Sequence, residues 1–314
     1  MLRFVVGRLI ATIPVIFVVA LAIFLLVRLA PGDPAVLIAG DNATPQQLEI
    51  IRANLGLDQP LIVQFGKWLG QIAAGDLGTS IMSQTPVGKI IADRIGPTLS
   101  LAFTTIALSV LVAVPLGVLA AARHGTAIDR IVIAICVIGF SVPVFVIGYT
   151  LMLFFSIEQR WLPVQGFRGI SEGIAPFARY IVLPTVSLSV LYIALIARIT
   201  RASLLEVLNE DFIRTARAKG VSETKVLVKH ALRNVTVPVI TVIGISFALM
   251  LGGVVITESV FNIPGLGRLT VDAVMGRDYP VIQALTLLSG LFYVLVNLLI
   301  DLAYVLLDPR VRYE

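Results

Sequence analysis

The sequence predicts an all-α protein, a polytopic membrane bundle of six transmembrane helices with a helical insertion after the first. Three observations carry that expectation. Hydrophobic residues make up 58% of the 314, and charged residues only 14%. The mean hydropathy of +0.97 is more than a soluble chain can cover in water, so the chain belongs in a bilayer. The apolar residues also fall into runs long enough to cross about 30 Å of hydrocarbon, separated by charged stretches.

In order, Arg3 and Arg8 precede an apolar run from Leu9 to Val27, nineteen residues. A signal peptide shares that charge order, but its apolar region is shorter, and Ala30-Pro31 is a poor cleavage context. The run is read as an uncleaved first helix, within a unit 1–30. Residues 31–97 are too polar to span and read as a helical cap outside the membrane. Thr44-Pro45-Gln46-Gln47 has the pattern of a helix start with proline at the first position. Leu48, Ile51 and Leu55 follow as one stripe, ended by Gly56. Phe65, Trp68, Leu69 and Ile72 make a second stripe before Gly75. A core of 98–307 then holds five more spans, near Leu99–Ala122, Ile131–Ile157, Ile181–Ile199, Val235–Ile256 and Val281–Leu307, with a short tail at 308–314. Prolines 115, 143, 184 and 238 lie within these runs and predict kinks inside a bundle.

Eight basic residues lie between 198 and 233. Basic residues collect on the cytoplasmic side of membrane proteins, so this loop and both termini are expected inside, and 31–97 outside in the periplasm. The net charge of +5 suits a membrane surface better than nucleic acid, because no aromatic-basic stripe accompanies it. The single Cys136 excludes a disulfide within the chain, and His124 and His230 make no metal-ligand spacing. No nucleotide-binding lysine loop, GxSxG or HExxH is present, so no catalytic residue, metal site or bound cofactor is expected.

The basic loop reads as two linked helices. Asn209 is expected to cap the first, with Glu210 and Asp211 in its first turn and Arg217 and Lys219 in its last. Gly220 sits where a left-handed residue ends a helix. Phe212 and Ala216, four apart, are expected to share a face that presses into a groove on another protein. Ser222 is expected to cap the second helix. The plainer alternative is a basic loop lying on lipid headgroups.

The order of residues Arg214-Thr215-Ala216-Arg217-Ala218-Lys219-Gly220, then His230-Ala231-Leu232-Arg233-Asn234 and Pro238, resembles the EAA loop of ABC-importer permeases. Arg214 stands where the general pattern has Glu, which is itself a feature of the dipeptide/oligopeptide/nickel permease family. TESVFNIPGLGRL, AVMGRDYPVIQA, LGLDQPLIVQFGKWL and the end LDPRVRYE also resemble that family, in particular its B-type dipeptide and glutathione permeases. Asn209-Glu210-Asp211-Phe212 departs from the glutathione type at its first residue.

The resemblance implies a type I importer permease of the bacterial inner membrane. It would work with a second permease, two ATPases that carry the ATP and magnesium, and a periplasmic substrate-binding protein. Residues 209–220 would be the ATPase-coupling segment within a loop of about 198–236, and short peptides the substrate class. Chelated nickel remains an alternative. An ion-coupled secondary transporter is a second one, for which Asp301 is the only carboxylate well inside a span. Asp301 is expected to form a structural ion pair with Arg198 or Arg201 rather than to carry protons.

Overall fold

A computed structural model describes residues 2–29, 44–54 and 58–307. The expected turn at Pro31–Pro34, the end of the first insertion stripe at Leu55 and Gly56, and the tail 308–314 lie outside them. Helix α1 covers Leu2–Leu29, α2 Pro45–Asn54 and α3 Leu61–Ala73. The 36-residue α4 runs Val87–Ala122, followed by α5 at Ala127–Ser141 and α6 at Val144–Leu151. α6 continues with π-type bonding over Met152–Glu158. Then come α7 at Ile174–Leu208, α8 at Asp211–Ala218 and α9 at Glu223–Asn234, the last with a π-type middle. α10 (Thr236–Val260), α11 (Leu266–Met275) and α12 (Tyr279–Leu307) complete the chain.

Among the described residues, α4, α7 and α12 are each long and apolar enough to cross a membrane. The bent pairs α5–α6 and α9–α10 qualify when each is taken together, and α1 adds the shorter apolar stretch Ile10–Leu25. Counting α1, each of the six expected spans thus has a candidate, with two differences from expectation. The apolar run Ile131–Ile157 is not one rod, because Val142 is extended ahead of Pro143 and α6 leaves α5 at 97°. A residue before proline disfavours the helical region, and β-branched Val142 follows that rule. Pro115 and Pro184 lie inside the unbroken helices α4 and α7. Those two helices form the most extensive packing in the molecule, which holds each one continuous. The second difference is length: α4 begins at Val87, inside the stretch assigned to the insertion, and α7 continues past Ile199 to Leu208.

The main core lies between α4, α7 and α10, with Leu101, Leu188, Ile196 and Met250 almost fully buried. Small residues set the closest approaches. A side chain at Gly117 would stand 2.7 Å from the Ala197 carbonyl oxygen, so α4 and α7 nearly touch backbones there. α12 packs on α1 at the edge, and α11 fills the corner between α10, α12 and the start of α4.

Candidate functional site

The loop between α7 and α10 is built on its own small core. Ile213 and Ala216 of α8 join Leu204, Val226, Ala231, Val235 and Val239 in one buried cluster that reaches Ala121 at the end of α4. α8 thus packs on α9 and shares a buried cluster with the ends of α4, α7 and α10. Its C-terminus is fixed by the Gly220 amide donating to the Arg217 carbonyl at 2.9 Å and the Val221 amide donating to the Ala216 carbonyl at 3.2 Å. This double closure is a Schellman motif; it needs the left-handed Gly220, φ +77°, and it tucks Val221 against the same cluster. Ser222 stands at the N-cap position of α9 but its side chain makes no capping hydrogen bond, and Arg217 reaches Glu223 from Nε at 2.9 Å.

Two expectations for this loop need correction. Asn209 closes α7, its side-chain amide donating to the Leu205 carbonyl at 2.9 Å, and Glu210 holds the N-cap position of α8. Ala216 does not share an outward face with Phe212: it is 9% exposed and turned into the chain's own core, whereas Phe212 is 43% exposed. Residues four apart differ by about 40° around a helix, enough at the edge of a buried stripe to put them on different sides. The outward face therefore carries Phe212, Thr215 and Lys219, with Asp211 and Arg214 paired beside them.

At the same end of the bundle, Arg201 of α7 binds Asp129 in the first turn of α5. Nε donates to one carboxylate oxygen at 2.6 Å and Nη2 to the other at 2.8 Å. The Gly125 amide adds a third bond at 3.0 Å, and His124 Nδ1 lies 3.1 Å from the same oxygen. Asp129 is buried, so this bidentate pair fastens the turn after α4 to α7. It also corrects the expected partner of Asp301. Arg201 is committed to Asp129, and the Arg198 guanidinium lies 5.9 Å from the Phe140 ring centroid. Both arginines stand on α7, against α4, α5 and α10, whereas half-buried Asp301 stands on α12, against α1 and α10.

The other end holds a second buried carboxylate. Glu258, in the last turn of α10, accepts from Thr98 Oγ1 at 2.6 Å and from the Arg268 amide at 3.0 Å. The Leu266 amide donates to the same Thr98 hydroxyl at 2.8 Å. The first amides of α11 are thus satisfied by a carboxylate and a hydroxyl from two other helices, and the anionic group suits that helix end. Gly265 and Gly267 permit it: a Cβ at Gly265 would fall on the Glu258 carboxylate, and one at Gly267 would stand 2.6 Å from Val255 Cα. Beyond α11, buried Asp278 accepts from Ser80 Oγ at 2.5 Å and from the Ile81 and Met82 amides at 3.1 and 3.4 Å, clamping the segment before α4. In the nearby loop before α7, Arg168 Nη1 donates to Glu172 at 2.5 Å and holds that carboxyl below the usual carboxylate range.

Between α4, α10, α11 and α12 lies an apolar cavity of about 290 Å³, bordered by Ile95, Thr98, Met250, Val254, Leu266 and Phe292. Among the described residues no three His, Cys, Asp or Glu side chains converge as a metal site. The sequence reading did not single out Asp129, Thr98, Glu258 or Asp278, although Glu258, alone in an apolar run just ahead of Pro-Gly-Leu-Gly, was a usable signal.

Comparison with known proteins supplies the family. Residues 113–313 match the binding-protein-dependent transport system inner membrane component, and residues 1–102 match the N-terminal region of such membrane components. A probable peptide ABC transporter permease of Sinorhizobium fredii is 57% identical over 311 residues, 99% of each chain. Glutathione transport system permeases of Escherichia coli and Salmonella paratyphi A are 46% and 45% identical over the full length of both chains. An inward-facing MetNI methionine ABC transporter structure superposes with a TM-score of 0.59 at 19% identity, covering 70% of this chain and 96% of that one, a likeness of fold. The chain accordingly belongs to the inner-membrane components of binding-protein-dependent transport systems.

Proposed function

We propose that this chain is one of two permease subunits of an ATP-driven importer, and that with the second it forms the path for short peptides, glutathione among them. The observation that carries the coupling part is α8, a short helix that packs on α9 and joins, through Ile213 and Ala216, the cluster shared by the ends of three spans, with Phe212, Thr215 and Lys219 turned outward. A partner that grips Phe212 moves α4, α7 and α10 together, because α8 shares their core. ATP and magnesium reside on that partner, an ATPase, and a soluble binding protein delivers the substrate from the far side. The curated relatives named for peptide and glutathione transport support the substrate class. In this reading the loop 209–236 and both termini face the cytoplasm, the distribution of basic residues being the support.

The test uses cells lacking the chain. Wild-type protein restores uptake of labelled dipeptide and glutathione, and Phe212→Asp removes both uptake and co-purification of the ATPases at an unchanged membrane level. Retention of ATPase binding and uptake by Phe212→Asp refutes the docking role of α8. Uptake that follows a proton gradient and persists without ATPases moves the chain to the secondary-transporter class.

A further inference from the structure

Helix α3 is neither a span nor a free-standing external helix by its contacts. Trp68, Leu69 and Ile72 face α1 and α12, where they join Val19, Ala20, Ile23 and Leu287 in one cluster. The Phe65 ring lies 5.6 Å from Phe17 and 5.3 Å from Phe24, and Trp68 lies 5.8 Å from Phe24. α1 and α12 run antiparallel here, since Val19 meets Gly290 while Ala20 and Ile23 meet Leu287. Leu287 is eight residues along α12 from Tyr279, or about 12 Å, and Phe24 is five residues from Leu29, or about 8 Å. A half-bilayer of hydrocarbon is about 15 Å deep, so these contacts lie inside the leaflet remote from the basic loop, and Phe17, about 18 Å from Leu29, lies near the midplane.

The two flanks of α3 differ in chemistry. At 100° per residue, the exposed Ile62, Gly66 and Ala73 fall on one side of the protein-facing stripe, and the exposed Lys67 and Gln71 on the other, beside buried Gln64, whose amide donates to the Gln59 carbonyl at 2.8 Å. Ile62 is 77% exposed and Leu61 51%, and Phe17 and Val18 of α1 are exposed as well. A helix with an exposed apolar flank and a lysine and glutamine exposed on the other is built for the boundary between headgroups and acyl chains.

We infer that α3 is embedded in that leaflet, with Leu61 and Ile62 among acyl chains and Lys67 extended to the headgroups. The insertion between the first two spans is then moored to the bilayer as well as to α1, and the expected cap outside the membrane applies at most to the rest of it. The inference rests on the six-span architecture and not on the transported substrate, so it stands or falls apart from the transport reading.

Nitroxide labels on Ile62→Cys, Gly66→Cys and Gln71→Cys, each in Cys136→Ala and in the full complex in lipid nanodiscs, test it through collisions with oxygen and with a water-soluble nickel chelate. Gly66 is a second reporter for the apolar flank, since a Cβ there meets nothing within 4 Å. The expected result is an oxygen-to-nickel ratio several-fold higher at Ile62 and Gly66 than at Gln71. Equal nickel access at all three places α3 in water and overturns the inference. Shielding of Ile62 and Gly66 from both reagents means that protein covers the flank, which overturns it as well.

Discussion

Replacing Thr98 with valine keeps the side-chain shape and removes one hydroxyl that serves two partners. That hydroxyl donates to Glu258 at 2.6 Å and accepts from the Leu266 amide at 2.8 Å, so the variant leaves a buried carboxylate oxygen and a helix-terminal amide each short of a bond. Interhelical hydrogen bonds in membrane proteins average only about 0.6 kcal/mol, with a ceiling near 1.7. Stranding a buried polar group costs about 1–3 kcal/mol. With two groups stranded, the expected loss is about 2–4 kcal/mol, or roughly 3–6 °C in a thermal midpoint for a chain of this size. The natural control is Thr105→Val, two turns along the same helix. Thr105 is equally buried, and its hydroxyl has no hydrogen-bond partner among the described residues, so its removal is expected to be neutral or slightly stabilising. Cys136, the single cysteine and 5% exposed, supplies the assay. A maleimide dye that fluoresces on reaction reports its release as the detergent-solubilised protein is heated at a fixed rate. Equal midpoints for the two valine variants would refute the claim that Thr98 joins α4, α10 and α11.

Three further outcomes are expected. Asp129→Asn and Arg201→Gln should each lower the thermal midpoint. A double-mutant cycle should give a coupling energy of about 1–3 kcal/mol for the half-screened bidentate pair, and a value near zero would deny its structural role. Gly267→Ala should cost about 1–3 kcal/mol because the added methyl meets backbone at Val255, whereas Gly252→Ala, with open space around it, should not change the midpoint. For the proposed orientation, cysteines at Ser171 and Met275 in a Cys136→Ala background should react with an impermeant thiol reagent in whole cells. Cysteines at Thr126 and Thr224 should react only after the membrane is opened, and a reversed pattern would invert the topology.

The all-helical architecture and the location of the basic loop were legible because they depend on local quantities, namely apolar run length and charge order. Gly220 was legible for the same reason: a helix end needs a left-handed residue within a few positions. The features that failed to read depend on contacts distant in sequence. Arg201 finds Asp129 seventy-two positions away, so charge order along α7 pointed to Asp301 with no way of weighing the two. Ala216 looked like a docking residue because its i, i+4 relation to Phe212 was visible, while the core that claims it comes from α4, α7, α9 and α10. Pro143 breaks its span and Pro184 does not, a contrast set by what packs against each helix rather than by the proline itself.

One feature of α7 bears on how force would travel through the molecule. Its 35 residues form an unbroken rod about 52 Å long, and only Asn209 and Glu210 separate it from α8. A rod held near its middle converts a small rotation at one tip into a large sweep at the other: about 5° of tilt moves points 52 Å apart by about 4–5 Å relative to each other. Arg201, about two turns from the tip that joins α8, bolts α7 to α5 through Asp129, so the turn at Pro143 would follow the same stroke. Under the proposed docking role of α8, the molecule has the parts of a crank, with α8 as the handle, α7 as the shaft and the bend after α5 as the elbow that carries the motion sideways.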